Sequence, residues 1–460
     1  MNTIEKGHAL LARLLMLVLV VFMLLIGLRF GTRYILINRL GMNNAFTRLV
    51  MWEDRRLSIP GPIGDERAEV TDWDERYPFS VPAAQTTRWA HRFRWIDELQ
   101  GWMKSRVGRI STAIDLYANQ HLMFRQPIVE SANRYERLIG WNLAGYSEYN
   151  NVVDLGEGYL TTFNGRIDVD GNAAAIGDLR GFLDSRGIPL LFVQLPNKIS
   201  RQDGGFNDVV DFYNDNANRL VEGIRSRGVS ALDLRDHAEQ QYPETYHALF
   251  FNSDHHWLPQ TGLWAAGEIA QVLNGSFGYA IDLAVLKPEN YTQTVYEDWF
   301  LGSLGKKVTL ARAKPDDLVT LHPIFPVELR LQIESLGLDA TGGFDIIYDQ
   351  SQLEYKDYYN QNTYGAYLYS AYSTHAFIRL ENNLLPKQGK RMLLLGDSFS
   401  STLAPFLSLG LEALDFVDLR SFNGSLQALV DWGGYDMVVV AYSSMFPVEY
   451  DSHKSMYDFR

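Results

Sequence analysis

Two short stretches hold the residues best suited to chemistry. FNSDHHWLP, at 251–259, sets Asp254, His255, His256 and Trp257 side by side. That set could be a metal cluster, half of a nucleophilic catalyst, or an ordinary buried loop. RMLLLGDSFSSTLAPFL, at 391–407, reads as a buried strand, a Gly396-Asp397-Ser398 turn and a helix. A serine at a strand-to-helix turn exposes its hydroxyl, and the N–H groups at the helix start, beginning with that of Ser398, can stabilise an oxyanion. The turn is not a G-x-S-x-G elbow, because position 400 is Ser rather than Gly. Ser and Asp are also favoured helix caps, so an inert N-cap is the competing reading.

A serine nucleophile needs a base, and the base needs an orienting acid. In an extended segment residues i and i+2 point the same way, so Asp254 and His256 can share a face while His255 points elsewhere. The distance along the chain between these residues and Ser398 is no obstacle, since such triads occur in many chain orders. A metal site would need at least one further ligand and an open position. No H-E-x-x-H or H-x-H pattern supplies one, and His237 and His247 stand without a pattern, so the expectation is no metal and no cofactor. Trp257 reads as packing, with substrate stacking as the alternative.

The elements around these residues suggest how they are positioned. From about residue 155 strands and helices alternate. NAAAIGDLRGFLDSR leads through Gly187 into IPLLFVQL, and DVVDFYNDNANRLVEGIRSR leads through Gly228 into VSALDL. Another helix begins near Pro259. After residue 388 the alternation resumes with RMLLL, STLAPFLSL, FVDL, GSLQALVDW and YDMVVVAYS. Near-continuous apolar strands between helices predict an α/β fold: a mostly parallel sheet covered by helices on both faces. Active sites in such sheets lie at the carboxyl ends of the strands. Residues 275–388, rich in Tyr, Gly and Leu, break the rhythm and read as an insertion above the sheet.

Composition narrows the field. The chain has 460 residues and a net charge of −13, which argues against nucleic acid as a partner. With no cysteines, thiolate metal sites, cysteine nucleophiles and disulfides are excluded. Aromatic residues make up 13%, as suits a carbohydrate-handling surface or simply a large core. Near the N-terminus LLMLVLVVFMLLIGL (14–28) is free of charge until Arg29, and no A-x-A-like site follows it. Residues 1–30 are therefore expected to be an uncleaved membrane anchor, with a cleavable signal peptide as the alternative. Lys6 and Arg13 precede the span while Arg29, Arg33 and Arg39 follow it, a balance that by itself favours the opposite orientation from the one adopted below. Residues 31–150 read as a linker and stalk-like helices, and 151–460 as the catalytic domain.

The pairing of GDSFS with an upstream D-x-H-W resembles the SGNH-hydrolase-like O-acetyltransferases. These include the alginate O-acetyltransferase enzymes and the related DHHW family of bacterial surface proteins. Further matches are LFVQLPNKIS (191–200), FLGSLGKKV (300–308), YPF (77–79) and the closing strand YDMVVV. The resemblance implies a flavodoxin-like, SGNH-hydrolase-like sheet, with Ser398 as nucleophile, His256 as base and Asp254 as orienting acid. Asn197 becomes a candidate oxyanion donor, with a turn residue as its alternative. Lys198 would face substrate or solvent, and Gly396 would serve the turn. The implied function is membrane-anchored, extracytoplasmic transfer of an acetyl group through an acyl-serine onto a cell-surface polysaccharide, the N-terminus then lying inside. A membrane-bound O-acyltransferase would supply the acyl group. A carbohydrate esterase using the same residues, or a non-catalytic glycan-binding or assembly subunit, are the alternatives.

Overall fold

A computed structural model describes residues 125–138, 152–203, 211–348, 376–387, 389–443 and 456–459, with residues 353, 356, 358 and 359. The apolar run 14–28 and most of the expected stalk lie outside the described residues. Within the stalk segment, Arg125–Leu138 is a helix, α1, with Pro127 in its first turn, where its missing N–H costs nothing. No helix among the described residues is long and apolar enough to cross a membrane.

The chain then alternates as its apolar pattern predicts. After the short pair β1 (Val153–Asp154) and β2 (Leu160–Thr161) come α2 (Asp170–Asp184), β3 (Leu190–Leu195), α3 (Tyr213–Ser226), β4 (Ser230–Asp233), α4 (Leu234–Gln241) and α5 (Pro259–Phe277). Gly187 and Gly228 turn α2 and α3 into β3 and β4 with φ of +68° and +74°, a region open to glycine at no steric cost. Helix α4 follows β4 directly. Asp233 ends the strand and caps this helix by accepting the N–H of Arg235.

Next come β5 (Tyr291–Phe300), the short helix α6 (Ser303–Val308), β6 (Asp316–Pro323), β7 (Leu329–Ile333), β8 (Leu338–Gly342) and β9 (Phe377–Asn382). The last elements are β10 (Arg391–Gly396), α7 (Ser398–Ser408), β11 (Ala413–Val417), α8 (Leu426–Gly433) and β12 (Met437–Ser443). The main sheet has eight strands in the order β4-β3-β12-β10-β11-β9-β7-β8. Its first five strands are parallel, and β9, β7 and β8 continue it antiparallel.

That corrects the reading of 275–388 as an insertion above the sheet. Part of it, β5 with β6, is a separate antiparallel ribbon, but β7, β8 and β9 extend the main sheet at its edge. In β7, buried residues alternate with partly exposed ones. This one-sided burial suits antiparallel strands and lacks the continuous apolar run that marks the parallel strands.

Two apolar cores lie on opposite faces of the sheet. Leu191, Val193, Met392, Leu394 and Val439 face α5 and α7, whereas Leu190, Phe192, Leu393, Leu395 and Val440 face α2, α3 and α8. The alternation follows from the two-residue period of a strand. Where β9 meets β11, the guanidinium of Arg379 donates two hydrogen bonds to Asp415 (2.7 and 2.5 Å), and the Tyr435 hydroxyl donates a third (2.5 Å). Removing one partner of a buried ion pair leaves an uncompensated charge. Asp415→Ala is therefore expected to lower the unfolding free energy by about 3–5 kcal/mol in urea titration. A change below about 1 kcal/mol, the range of ordinary surface substitutions, would show that water reaches the Arg379 guanidinium.

Candidate active site

Ser398 stands at the carboxyl end of β10 and opens α7. Gly396 lets the helix approach the strand, since a Cβ there would lie 2.4 Å from that of Ser400 and 2.7 Å from the Phe416 ring. Asp397 is fully buried and does two jobs. One carboxylate oxygen accepts the N–H groups of Phe399 and Ser400 (3.0 and 3.3 Å) and caps α7. The other accepts the N–H and hydroxyl of Ser443 (2.8 and 2.7 Å) at the end of β12. Ser400 donates to the carbonyl of Ala441 (2.5 Å), so the residue that breaks the G-x-S-x-G pattern fastens the turn to β12. Ser398, by contrast, is half-buried and points out of this joint.

Opposite it, residues 250–257 form a closed bend. Phe250 bridges Trp257, the N–H of Phe251 donates to the carbonyl of His256 (3.1 Å), and that of Leu258 donates to Leu249 (2.9 Å). Trp257 is buried against Phe399 and donates its indole N–H to Thr402 on α7 (3.0 Å). Helices α5 and α7 meet closely where Gly262 faces Thr402; a Cβ at Gly262 would fall 2.6 Å from the threonine methyl. The bend is thus fixed to the helix that carries Ser398.

The result is one hydrogen-bonded row. His256 Nδ1 lies 2.6 Å from Asp254 Oδ1, and His256 Nε2 lies 2.8 Å from Ser398 Oγ. Beside a carboxylate, Nδ1 carries the proton and Nε2 is free to accept the serine O–H. Asp254 Oδ1 also accepts the backbone N–H of His256 (3.1 Å), and Oδ2 accepts the N–H of Ser303 (2.6 Å). Burial alone would raise the Asp254 pKa. The facing His255 and His256, with the His256 and Ser303 hydrogen bonds, hold it well below the carboxylate range.

His255 is not turned aside as strict alternation would have it. Its ring packs on that of His256, with centroids 3.8 Å apart, and its Nδ1 lies 3.2 Å from Ser303 Oγ and 3.4 Å from Asp254 Oδ1. The segment is a bend rather than an extended strand, so the i, i+2 rule does not govern it. Ligand atoms of Asp254, His255 and His256 lie within 4.8 Å of one another. Two atoms bound to one tetrahedral Zn²⁺ at about 2.0–2.1 Å each would stand roughly 3.3 Å apart. The 2.6 Å between His256 Nδ1 and Asp254 Oδ1 is instead a hydrogen-bond length.

The three remaining sequence candidates take other places. Asn197 is buried, and its carboxamide oxygen accepts the N–H of Ile199 (2.7 Å), shaping the corner after β3. Only its amide nitrogen has the polarity of an oxyanion donor. Gly396 serves the helix–strand approach. Lys198 faces neither substrate nor bulk water: it is 2% exposed and donates to the carbonyls of Leu160 (2.6 Å), Asn252 (3.3 Å) and Asp254.

Sequence reasoning from the residues alone missed the floor of the site. Ser303 N–H holds Asp254, Gly302 N–H donates to Ser253 Oγ (2.8 Å), and Gly305 N–H donates to the carbonyl of Ser253 (2.7 Å). The paired glycines of FLGSLGKKV were the available signal. A Cβ at Gly302 would lie 2.3 Å from the Asp254 Cβ and 2.6 Å from the Ser253 carbonyl oxygen.

Residues 156–322 match the family model described as the SGNH hydrolase-like domain of the acetyltransferase AlgX. This span takes in Asp254 and His256 and ends before Ser398. No curated protein sequence gives a significant match. Among solved structures, Bacillus cereus PatB1 aligns at 19% identity over 66% of this chain and 98% of its own, with a TM-score of 0.54. PatB1 with a sulfonyl adduct aligns at 18% identity, 67% and 98% coverage and the same TM-score. A DHHW family protein from Eubacterium siraeum DSM 15702 aligns at 14% identity over 65% of this chain and 92% of its own, with a TM-score of 0.47.

Two measurements check this geometry. Gly302→Ala is expected to push Asp254 out of line and slow modification of Ser398 by a sulfonyl fluoride at least about tenfold, with the far-ultraviolet circular dichroism retained; displacements of this order carry such losses. An unchanged rate would mean that Asp254 does not act on Ser398. Burial and the neighbouring His256 lower His255 to about 3, from an unfolded value of 6.5. The unfolded chain then binds the extra proton first, so His255 removes stability as pH falls from 6.5 towards 3. His255→Gln should flatten that acid slope by up to about one proton in denaturant titrations, and an identical slope would show that His255 protonates freely in the fold.

The chain thus has the SGNH-hydrolase-like α/β fold, and over residues 156–322 it is similar in sequence to the acetyltransferase branch of that fold.

Proposed function

We propose that this protein is an SGNH-type O-acetyltransferase that moves an acetyl group through Ser398 onto a polysaccharide hydroxyl. The observation that carries the reading is the Ser398–His256–Asp254 row, at 2.8 and 2.6 Å. His256 Nε2 takes the proton of Ser398 as Oγ attacks the acetyl carbonyl. The tetrahedral oxyanion is met by the Ser398 N–H at the start of α7 and by the Asn197 amide. Collapse breaks the bond to the donor, whose leaving oxygen or sulfur takes the proton from His256, and acetyl-Ser398 remains. The acceptor hydroxyl then gives its proton to His256 and attacks the acyl carbon, after which the proton returns to Ser398. Asp254 keeps Nδ1 protonated and stabilises the imidazolium in both halves.

Transfer is favoured over hydrolysis by the sequence match to an acetyltransferase domain. The run 14–28 would anchor the chain, with the catalytic residues outside the cytoplasm and a membrane-bound O-acyltransferase as donor.

The test uses full-length protein in detergent, given an activated acetyl ester with and without oligosaccharide. Ser398→Ala and His256→Gln are each expected to lower acetylated-sugar formation by at least about 10³-fold. PatB1 has been solved with a sulfonyl adduct, and a sulfonyl fluoride is the matching probe for Ser398. Acetate release that depends on Ser398 but ignores sugar would replace transfer with hydrolysis. Absence of any Ser398-dependent turnover or labelling would remove the acyl-serine.

A further inference from the structure

Beneath the row lies a second pair of buried, oppositely charged side chains that the mechanism does not use. Asp316, at the start of β6, accepts the N–H of Asn252 through Oδ1 (2.7 Å), and through Oδ2 both the N–H (2.8 Å) and hydroxyl (2.5 Å) of Ser253. Lys198, after β3, donates to the carbonyls of Leu160, Asn252 and Asp254. Three donors converge on the carboxylate and three acceptors on the ammonium, the pattern that their charged forms meet in full. Burial raises the pKa of Asp316 and lowers that of Lys198 to about 7, and each opposes the other's shift. The three-residue backbone Asn252–Asp254 therefore runs between an anion on its N–H groups and a cation on its carbonyls. Ser253 links this grip to the floor of the site, because its hydroxyl also accepts the N–H of Gly302 (2.8 Å) beside Ser303.

We propose that Lys198 and Asp316 are positioning residues: together they grip the backbone of residues 252–254 and thereby aim Asp254 at His256. The proposal rests on the acyl-serine reading for its effect on rate, but not for its effect on the Asp254–His256 hydrogen bond. Neither residue touches a reacting atom. Each acts by denying the bend its alternatives, since these carbonyls and N–H groups have little water to turn to.

Ser253→Ala, Asp316→Asn and Lys198→Met in the full-length protein test it, with thermal unfolding recorded for each. Lys198→Met removes the ammonium from three buried carbonyls, of which that of Asn252 keeps the Leu160 N–H (2.8 Å), and can fail to fold, so the decisive variants are the near-isosteric Ser253→Ala and Asp316→Asn. Both are expected to fold, to lose about ten- to a hundredfold in kcat on an activated acetyl ester, and to keep KM. A merely structural role would lower the melting temperature and leave the kcat of the folded protein unchanged. The second readout is the far-downfield proton of His256 Nδ1–H, identified by its loss in His256→Gln; it should move upfield in both variants. If folded Ser253→Ala and Asp316→Asn keep this resonance and a kcat within twofold of the parent, the grip is overturned. If the parent shows no Ser398-dependent turnover, the acyl-serine reading fails, and the proton resonance still decides whether the grip aims Asp254.

Discussion

A carboxylate with almost no access to water persists in its charged form only where fixed hydrogen bonds replace its hydration. Asp254, 3% exposed, is met by the N–H groups of His256 and Ser303 and by the His256 ring. Much of the local architecture follows from that requirement. The backbone must bend so that His256 folds back over the acid two residues earlier, and α6 must bring a glycine-flanked N–H under it. Lys198 and Asp316 meet backbone groups of residues 252–254 from either side of that bend.

The sheet supplies the partner. Strands β3, β10 and β12 are parallel neighbours in it, so their carboxyl ends deliver Lys198, Ser398 and Ser443 to one edge. Asp397 joins two of these ends by capping α7 and binding Ser443, which leaves Ser398 as the residue of the turn with a hydroxyl to spare. Helix α5 follows the bend and packs on α7, with Trp257 donating to Thr402 across the junction. Ser398 therefore opens α7 and His256 lies in the bend just before α5, two helices that share a face of the sheet.

Much of this was legible in the chain, for reasons that differ by element. RMLLL and YDMVVVAYS read as parallel strands because burial on both faces demands continuous apolar residues, and Gly187 and Gly228 marked helix ends because left-handed backbone is open to glycine. Ser398, His256 and Asp254 stood out because their types fit one chemistry and their settings, a strand-to-helix turn and a compact loop, fit it too. The antiparallel edge was hidden: alternation in β7 fits a solvated ribbon as well as a sheet extension, and only pairing with β9 separates the two. The position of His255 was misjudged because a two-residue period was applied to a bend.

What the sequence determined by itself was therefore local: the kind of each main element and which side chains had the chemistry to act. Only the tertiary structure decided which groups meet. His256 and Ser398 are 142 positions apart, and Ser253 and Asp316 are 63 apart. No periodicity links such positions, because their contact depends on strand order and helix packing. The same holds for Lys198, whose neighbours along the chain allow it to reach solvent. Its burial is set by three carbonyls from distant segments that converge where β3 ends.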